Sequence, residues 1–461
     1  MIVNLSGILP KIRSFRTCAL PKKADPEIVF SHFHQEPYSV LLCGRGNPDN
    51  SRFAYLGTNP FLRIRHTMNH AELWVDRTVT SMTIDPFHLF REALNHYSVR
   101  TQPFPLNHWG AIGYFSYDAA RYIERLPVTT HDDLCLPIME MVYHRNLLIF
   151  DYCRQEVHLI QVDVGDGFRD PCEILERLDS GLAPLQTYSA GQEPVSCCTK
   201  EEYTDLVQKI IAYIKKGDAY EVNLSQRFQA RYYGNEYAIF LKLYEINPAP
   251  FSAYLNFGGT IILSSSPERF LKVEDALVET RPIKGTISRS NDPEEDLKNR
   301  FLLLGSKKDD AELAMIVDLL RNDLGKVCEY GSVKVREHRR IEGFPNVWHL
   351  LSIVEGTLRD GEDIASLIRA CFPGGSITGC PKIRSMEIID ELESYARNLY
   401  TGIIFVANDR FLDSSIVIRT MIAHNGTVYF SVGGAVVYES IPEREYEETL
   451  VKAQSILRVL Q

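Results

Sequence analysis

Several familiar chemical signatures are missing from this 461-residue chain. Its ten cysteines form no C-x-x-C pair, and the one close pair, Cys197-Cys198, suits neither a zinc ribbon nor a dithiol redox motif. Scattered thiols in a long chain fit a reducing compartment. There is no H-E-x-x-H, no G-x-S-x-G and no Rossmann fingerprint, so zinc-protease, α/β-hydrolase and dinucleotide chemistry are disfavoured. No apolar run approaches the ~18 residues of a membrane span. The opening MIVNLSGILPKIRSF lacks the apolar block of a secretion signal. Basic excess is absent too: 50 Lys plus Arg against 60 Asp plus Glu leave a charge of −10. That balance argues against nucleic acid or an anionic membrane as the partner. The expectation is a cytoplasmic protein, with a small anionic substrate still allowed because a pocket can be locally positive.

What is present is ample core material, 45% hydrophobic residues, in a length that predicts about two to four domain-sized units or one large fused body. No short-period repeat is visible. A polar stretch predicts a linker at 181–198 between an N-terminal domain, 1–180, and a second domain, 199–461. Beyond it, Tyr203, Leu206, Ile210 and Ile214 have helical spacing over 200–216, and Leu313, Ile316 and Leu320 do so over 309–324. Residues 381–393 predict a helix with Pro381 in its first turn. A last helix starts near Ser440, where Ser440 and Glu443 have capping-box spacing and Tyr446, Leu450, Ala453, Leu457 and Leu460 form the apolar stripe. Several strands between single helices favour an α+β fold with large antiparallel sheets.

The residues offer a few chemical candidates. Lys284, in Arg281-Pro282-Ile283-Lys284-Gly285-Thr286, is a flexible amine at a Pro/Gly turn. Buried, it is a nucleophile; exposed, it is an ordinary surface lysine. Glu445, Glu448 and Lys452 share a helix face, which suits Mg²⁺ or simply a solvated acidic surface with Glu443 and Glu447. Glu312, in an acidic first turn, is by itself a macrodipole partner. The run Gly374–Lys382 has phosphate-loop glycine spacing, but Cys380 stands where the lysine is required. His349 is isolated. Arg419, in a strand-like run, needs an anion if buried.

Six blocks in order carry more: SSSPERF (264–270), RPIKGT (281–286), AELAMIVDLLRNDLGKV (311–327), HLLSIVEGTL (349–358), FPGGSITGCPKIRSMEIIDELE (372–393) and ESIPEREYEETLVKA (439–453). Together they resemble the chorismate-utilising enzymes, and most of all component I of the aminodeoxychorismate synthases. The likeness is strong over about 200–455 and looser before 150, through PYSVLL (37–42) and WGAIGYFSYD (109–118). It implies an α+β body with two orthogonally packed sheets flanked by helices. It implies Mg²⁺ held by Glu312, Glu445 and Glu448, and Arg419 with Tyr400 on the enolpyruvyl carboxylate. Gly285, Thr286, Gly433, Gly434 and Lys452 would line the substrate.

Within the family, Lys284 decides the branch, because anthranilate synthases generally carry alanine there. The lysine would attack C2 of chorismate while the C4 hydroxyl leaves with a proton from Glu268, and ammonia would then add at C4. His349 would lie near the ring. Glu221 stands where many relatives have glutamine and isochorismate and salicylate synthases have a lysine base; an anion there suits ammonium capture. The Cys43 surroundings, LLCGRG, do not match a glutaminase nucleophile, so a separate glutamine amidotransferase subunit is expected, in a heterodimer. No lyase domain is expected after the last helix. The resemblance also implies a tryptophan pocket near Tyr38 and Ser39, with a plainly packed sheet as the alternative. Anthranilate synthase component I, or a catalytically silent chorismate-binding regulator, are the other readings.

Overall fold

The computed structural model describes residues 5–20, 24–44, 49–99 and 102–461. Arg45 and Gly46 of the LLCGRG block lie outside them. Every paired strand is antiparallel to its neighbours, and helices flank the sheet system. The architecture is α+β with large antiparallel sheets.

The long strands are apolar on both faces, and the period of two sends alternate residues into different cores. On strand Phe53–His66, Tyr55 and Leu62 enter one core while Ala54 and Leu56 enter the other. Its partner Met139–Asp151 divides likewise: Leu147 and Ile149 face one way, Leu148 and Phe150 the other. A strand covered on both sides reads as a continuous apolar run, as LLIFD does. Cutting Ile149 to alanine would cost about 2–5 kcal/mol.

Strands from either side of 181–198 hydrogen-bond to each other. Val40–Cys43 lies between Phe53–His66 and Phe251–Asn256, and Ala111–Phe115 lies between Met139–Asp151 and Ile403–Ala407. The stretch read as a linker contains two short strands, Tyr188–Ala190 and Val195–Ser196, which pair with strand Glu221–Gly234. Their exposed and half-buried side chains suit a sheet border, where only the backbone has to be satisfied.

Helix Lys200–Lys216 is capped by Thr199 in a capping box with Glu202. Helix Lys307–Gly325 is capped by Ser306 and buries Leu313, Ile316 and Leu320. Three local expectations are corrected. Pro381 is not in the first turn but sits at the cap position, in extended conformation, before Lys382–Leu392. The Ser440–Glu443 capping box does not form, because the last helix is Pro442–Val459 with Ile441 at its cap, and the Ser440 hydroxyl accepts the Val437 N–H. The buried face of that helix is Glu445, Thr449, Ala453, Ile456 and Val459, so the stripe is rotated and a carboxylate turns inward.

Candidate active site

Strand Ile283–Ser288 pairs with Val347–Thr357 but slips register between Ile283 and Thr286. That bulge holds Lys284 and Gly285, and Gly285 has φ +84°, which a glycine adopts without strain. The bulge turns the lysine inward: its side chain is 11% exposed, with Nζ donating to Glu221 Oε1 at 3.1 Å and lying 4.0 Å from Glu312 Oε2. Burial lowers the pKa of this ammonium, but Glu221, Glu312 and Glu268 outweigh burial and hold it above the usual lysine value. Resting Lys284 is therefore charged.

Glu268 is buried, and burial pushes its carboxyl up to about 7 against the Ser376 hydrogen bond and the charges of Lys284 and Arg419. Ser376 Oγ donates to Glu268 Oε1 at 2.7 Å. A carboxyl that keeps its proton near neutral pH can act as an acid. The Gly-rich run that failed as a phosphate loop contributes that serine.

His349 is buried beside Thr286, with Nδ1 2.8 Å from Thr286 Oγ1. Burial, reinforced by Arg419, pushes its pKa down to about 3, so the ring is neutral. Arg419 is not in a strand. It precedes strand Thr420–His424 at φ +50°, in the left-handed region. Among the described residues its guanidinium forms no ion pair, and Glu268 acts on it only through space. A partly buried cation without a counterion invites an anionic ligand.

Strand Thr427–Val436 brings Gly433 and Gly434 opposite Ser225 and Leu224. A Cβ on Gly433 would stand 2.9 Å from the Tyr400 hydroxyl, so the missing side chain admits the tyrosine. A Cβ on Gly434 would lie 3.5 Å from both Glu445 Oε2 and Glu448 Oε1. The two carboxylates thus converge over a bare backbone. Burial and the charge of Glu448 raise the pKa of Glu445. Burial would raise Glu448 too, but Lys452, 2.7 Å away, outweighs it. Lys452 also donates to the Gly433 carbonyl at 3.0 Å.

Glu312 closes no cage with this pair. Among the described residues, no three acidic, His or Cys side chains cluster tightly enough to hold a metal. Ammonium groups stand there instead. Lys308 is 3.7 Å from Glu312 and acts through space on Glu445 and Glu448 as well. The donor set, oxygens only and mutually repelling, is of the kind Mg²⁺ takes, one or two carboxylates at a time.

The chorismate binding enzyme family model matches residues 47–458. The chain belongs to that family. A family member named aminodeoxychorismate synthase component 1, from Klebsiella aerogenes, is 40% identical over 96% of this chain and 98% of its own length. An anthranilate synthase component 1 from Haloarcula marismortui is 39% identical over 95% of this chain and 90% of its own. Among solved structures, anthranilate synthase component I from Streptococcus pneumoniae superposes with a TM-score of 0.75 at 29% identity, covering 88% of this chain and 92% of that one. Other relatives named anthranilate synthase component 1 match less well, at 32–33% identity, than those named aminodeoxychorismate synthase component 1, at 38–41%.

For a chorismate-binding enzyme, the sequence reading missed Ser376 and Lys308, and it did not pair Glu221 with Lys284. Ser376 was signalled by its place in the Gly-rich run. The Glu221 contact spans 63 residues and left no local trace. In the N-terminal half, Ser39 is buried and donates to the Phe33 carbonyl, while the Tyr38 hydroxyl meets Arg63. A separate crevice at the far end of strand Val40–Cys43 is lined by Leu42, Cys43, Phe53, Phe251 and Asp413. No helix among the described residues is long and apolar enough to cross a membrane.

Proposed function

We propose that this chain is the aminating component of an aminodeoxychorismate synthase, turning chorismate and ammonia into 4-amino-4-deoxychorismate and water. The observation that carries the reading is Lys284, an amine turned inward by a bulge, with Glu268, a carboxyl raised by burial to about 7, acting on it through space. The segment 199–461 holds all the groups invoked.

Lys284 first gives a proton to Glu221, the nearest carboxylate at 3.1 Å. Its amine then adds at C2, both conjugated ring double bonds shift, and the C4–O bond breaks as Glu268 protonates the departing hydroxyl. Ammonia adds at C4, both double bonds shift back, and the C2–N bond breaks to release Lys284. Glu268 recovers its proton from the new C4 ammonium. Two allylic steps replace one difficult displacement, and the enolpyruvyl group is retained. Arg419 and the Tyr400 hydroxyl hold the enolpyruvyl carboxylate, His349 and Thr286 flank the ring as neutral donors, and Gly285, Gly433, Gly434 and Lys452 line it. Bound at Glu312, Glu445 and Glu448, Mg²⁺ would neutralise the ring carboxylate.

A separate glutamine amidotransferase subunit supplies the ammonia, the "component" in the relatives' names supporting a second chain. The product's chemistry leads to 4-aminobenzoate and folate, as a cytoplasmic pathway. For tryptophan, the crevice beside Cys43 offers apolar walls and an acceptor in Asp413; equilibrium dialysis tests it.

Incubating the pure chain with chorismate, Mg²⁺ and ammonium, and separating the products by chromatography, tests the central reading. Aminodeoxychorismate is expected, and its loss in Lys284→Ala. The Haloarcula relative favours a second reading, anthranilate synthase component I, and anthranilate as the product would establish it instead. Chorismate binding without turnover would leave a silent regulator.

A further inference from the structure

Lys284 stands between two carboxylates of different character. Glu221, on strand Glu221–Gly234, has a side chain with 0% exposure and one oxygen, Oε2, that finds no donor. Glu312, near the start of helix Lys307–Gly325, is 17% exposed and shares its charge between Lys284 at 4.0 Å and Lys308 at 3.7 Å. The Glu221 pair is both shorter and deeper, and Coulomb attraction rises with each. The free Oε2 gives the amine a second acceptor on the same buried group.

An ammonium settled on Glu312 would take up the charge that a divalent ion needs from that carboxylate. We propose that Glu221 is a positioning residue: it draws Lys284 away from Glu312, so that one carboxylate stays open to Mg²⁺ while the amine stays at the ring. The inference rests on reading Glu312, Glu445 and Glu448 as the Mg²⁺ carboxylates.

The test is Mg²⁺ titration by calorimetry, without chorismate or turnover, on the wild type, Glu221→Gln, Lys284→Met and the double variant. Glu221→Gln is expected to weaken Mg²⁺ binding about tenfold, mid-range for contacting groups in a double-mutant cycle. In the Lys284→Met background the same change should cost almost nothing, because no ammonium is left to fall onto Glu312. Glu221→Asp, which keeps the charge, should stay near the wild-type affinity, and circular dichroism identifies folded variants. An equal loss in both backgrounds would mean mere removal of a negative charge and overturns the proposal, as does an unchanged affinity in Glu221→Gln. If Glu312→Gln leaves the wild-type affinity untouched, the metal assignment itself fails and takes the proposal with it.

Discussion

Replacing Glu268 with glutamine should make the protein more stable and nearly inactive, and the stability gain should depend on pH. The carboxyl has an ordinary value of 4.5 and is raised by burial to about 7. In that interval the folded chain keeps a proton that the unfolded chain has lost. Stability is therefore fully present below 4.5, falls as pH rises, and levels off above about 7. The interval, at ~1.36 kcal/mol per pH unit, amounts to ~3 kcal/mol. Glutamine cannot ionise, fills the same volume, and keeps an Oε1 to accept the Ser376 hydroxyl at its 2.7 Å contact. Denaturant unfolding at about pH 4 and about pH 8 should thus show the difference between variant and wild type growing by ~3 kcal/mol in favour of the variant. Activity should fall by about 10²–10⁴-fold, the usual contribution of a general acid. A difference in stability that is the same at both pH values would refute the burial argument. Full activity in the variant would refute the role of acid.

Other consequences can be measured directly. Wild-type kcat/KM should decline as pH rises through about 7, when Glu268 in the free enzyme ionises. Arg419→Gln should raise the chorismate KM at least about tenfold without lowering the unfolding midpoint, because among the described residues the lost cation forms no ion pair. His349, held neutral by burial, should show no titration of its ring protons between about pH 5 and about pH 8 by NMR. Gly433→Ala puts a methyl 2.6 Å from the Leu224 carbonyl and should cost about 1–3 kcal/mol in stability. Gly434→Ala meets only ordinary 3.5 Å contacts, so thermal unfolding should be little changed while calorimetry shows weakened Mg²⁺ binding.

Features set by neighbouring residues were readable from sequence, and those set by distant partners were not. The helix expected at 309–324 runs Lys307–Gly325, because its apolar spacing is local. The stripe of the last helix was placed one position away from its buried face, since hydrophobicity alone cannot choose Glu445 as an inward residue. Arg419 lies in an apolar run that looks extended, yet it occupies a left-handed turn that the surrounding strands impose. The charge state of Lys284 depends on Glu221 and Glu312, and nothing in RPIKGT announces them. Lys284 and the three Mg²⁺ candidates stood out in the residues only beside bland alternatives, and Glu268 not at all, until the long ordered blocks of family likeness gave each a role.

The shared seam between Val40–Cys43 and Phe251–Asn256 has a consequence for how the chain is made. On the ribosome, some two hundred residues must emerge after the first strand before its second neighbour exists, and Ala111–Phe115 waits longer still for Ile403–Ala407. The nascent N-terminal half therefore carries open, apolar strand borders throughout synthesis, the kind of surface that sticks to its own copies. Slow translation or a crowded polysome would raise the risk of such pairing. The last of those borders closes only when Ile403–Ala407 arrives, and Arg419 and the helix Pro442–Val459 with its convergent glutamates follow within some sixty residues, so closure of the sheet and completion of the site fall together at the end of synthesis.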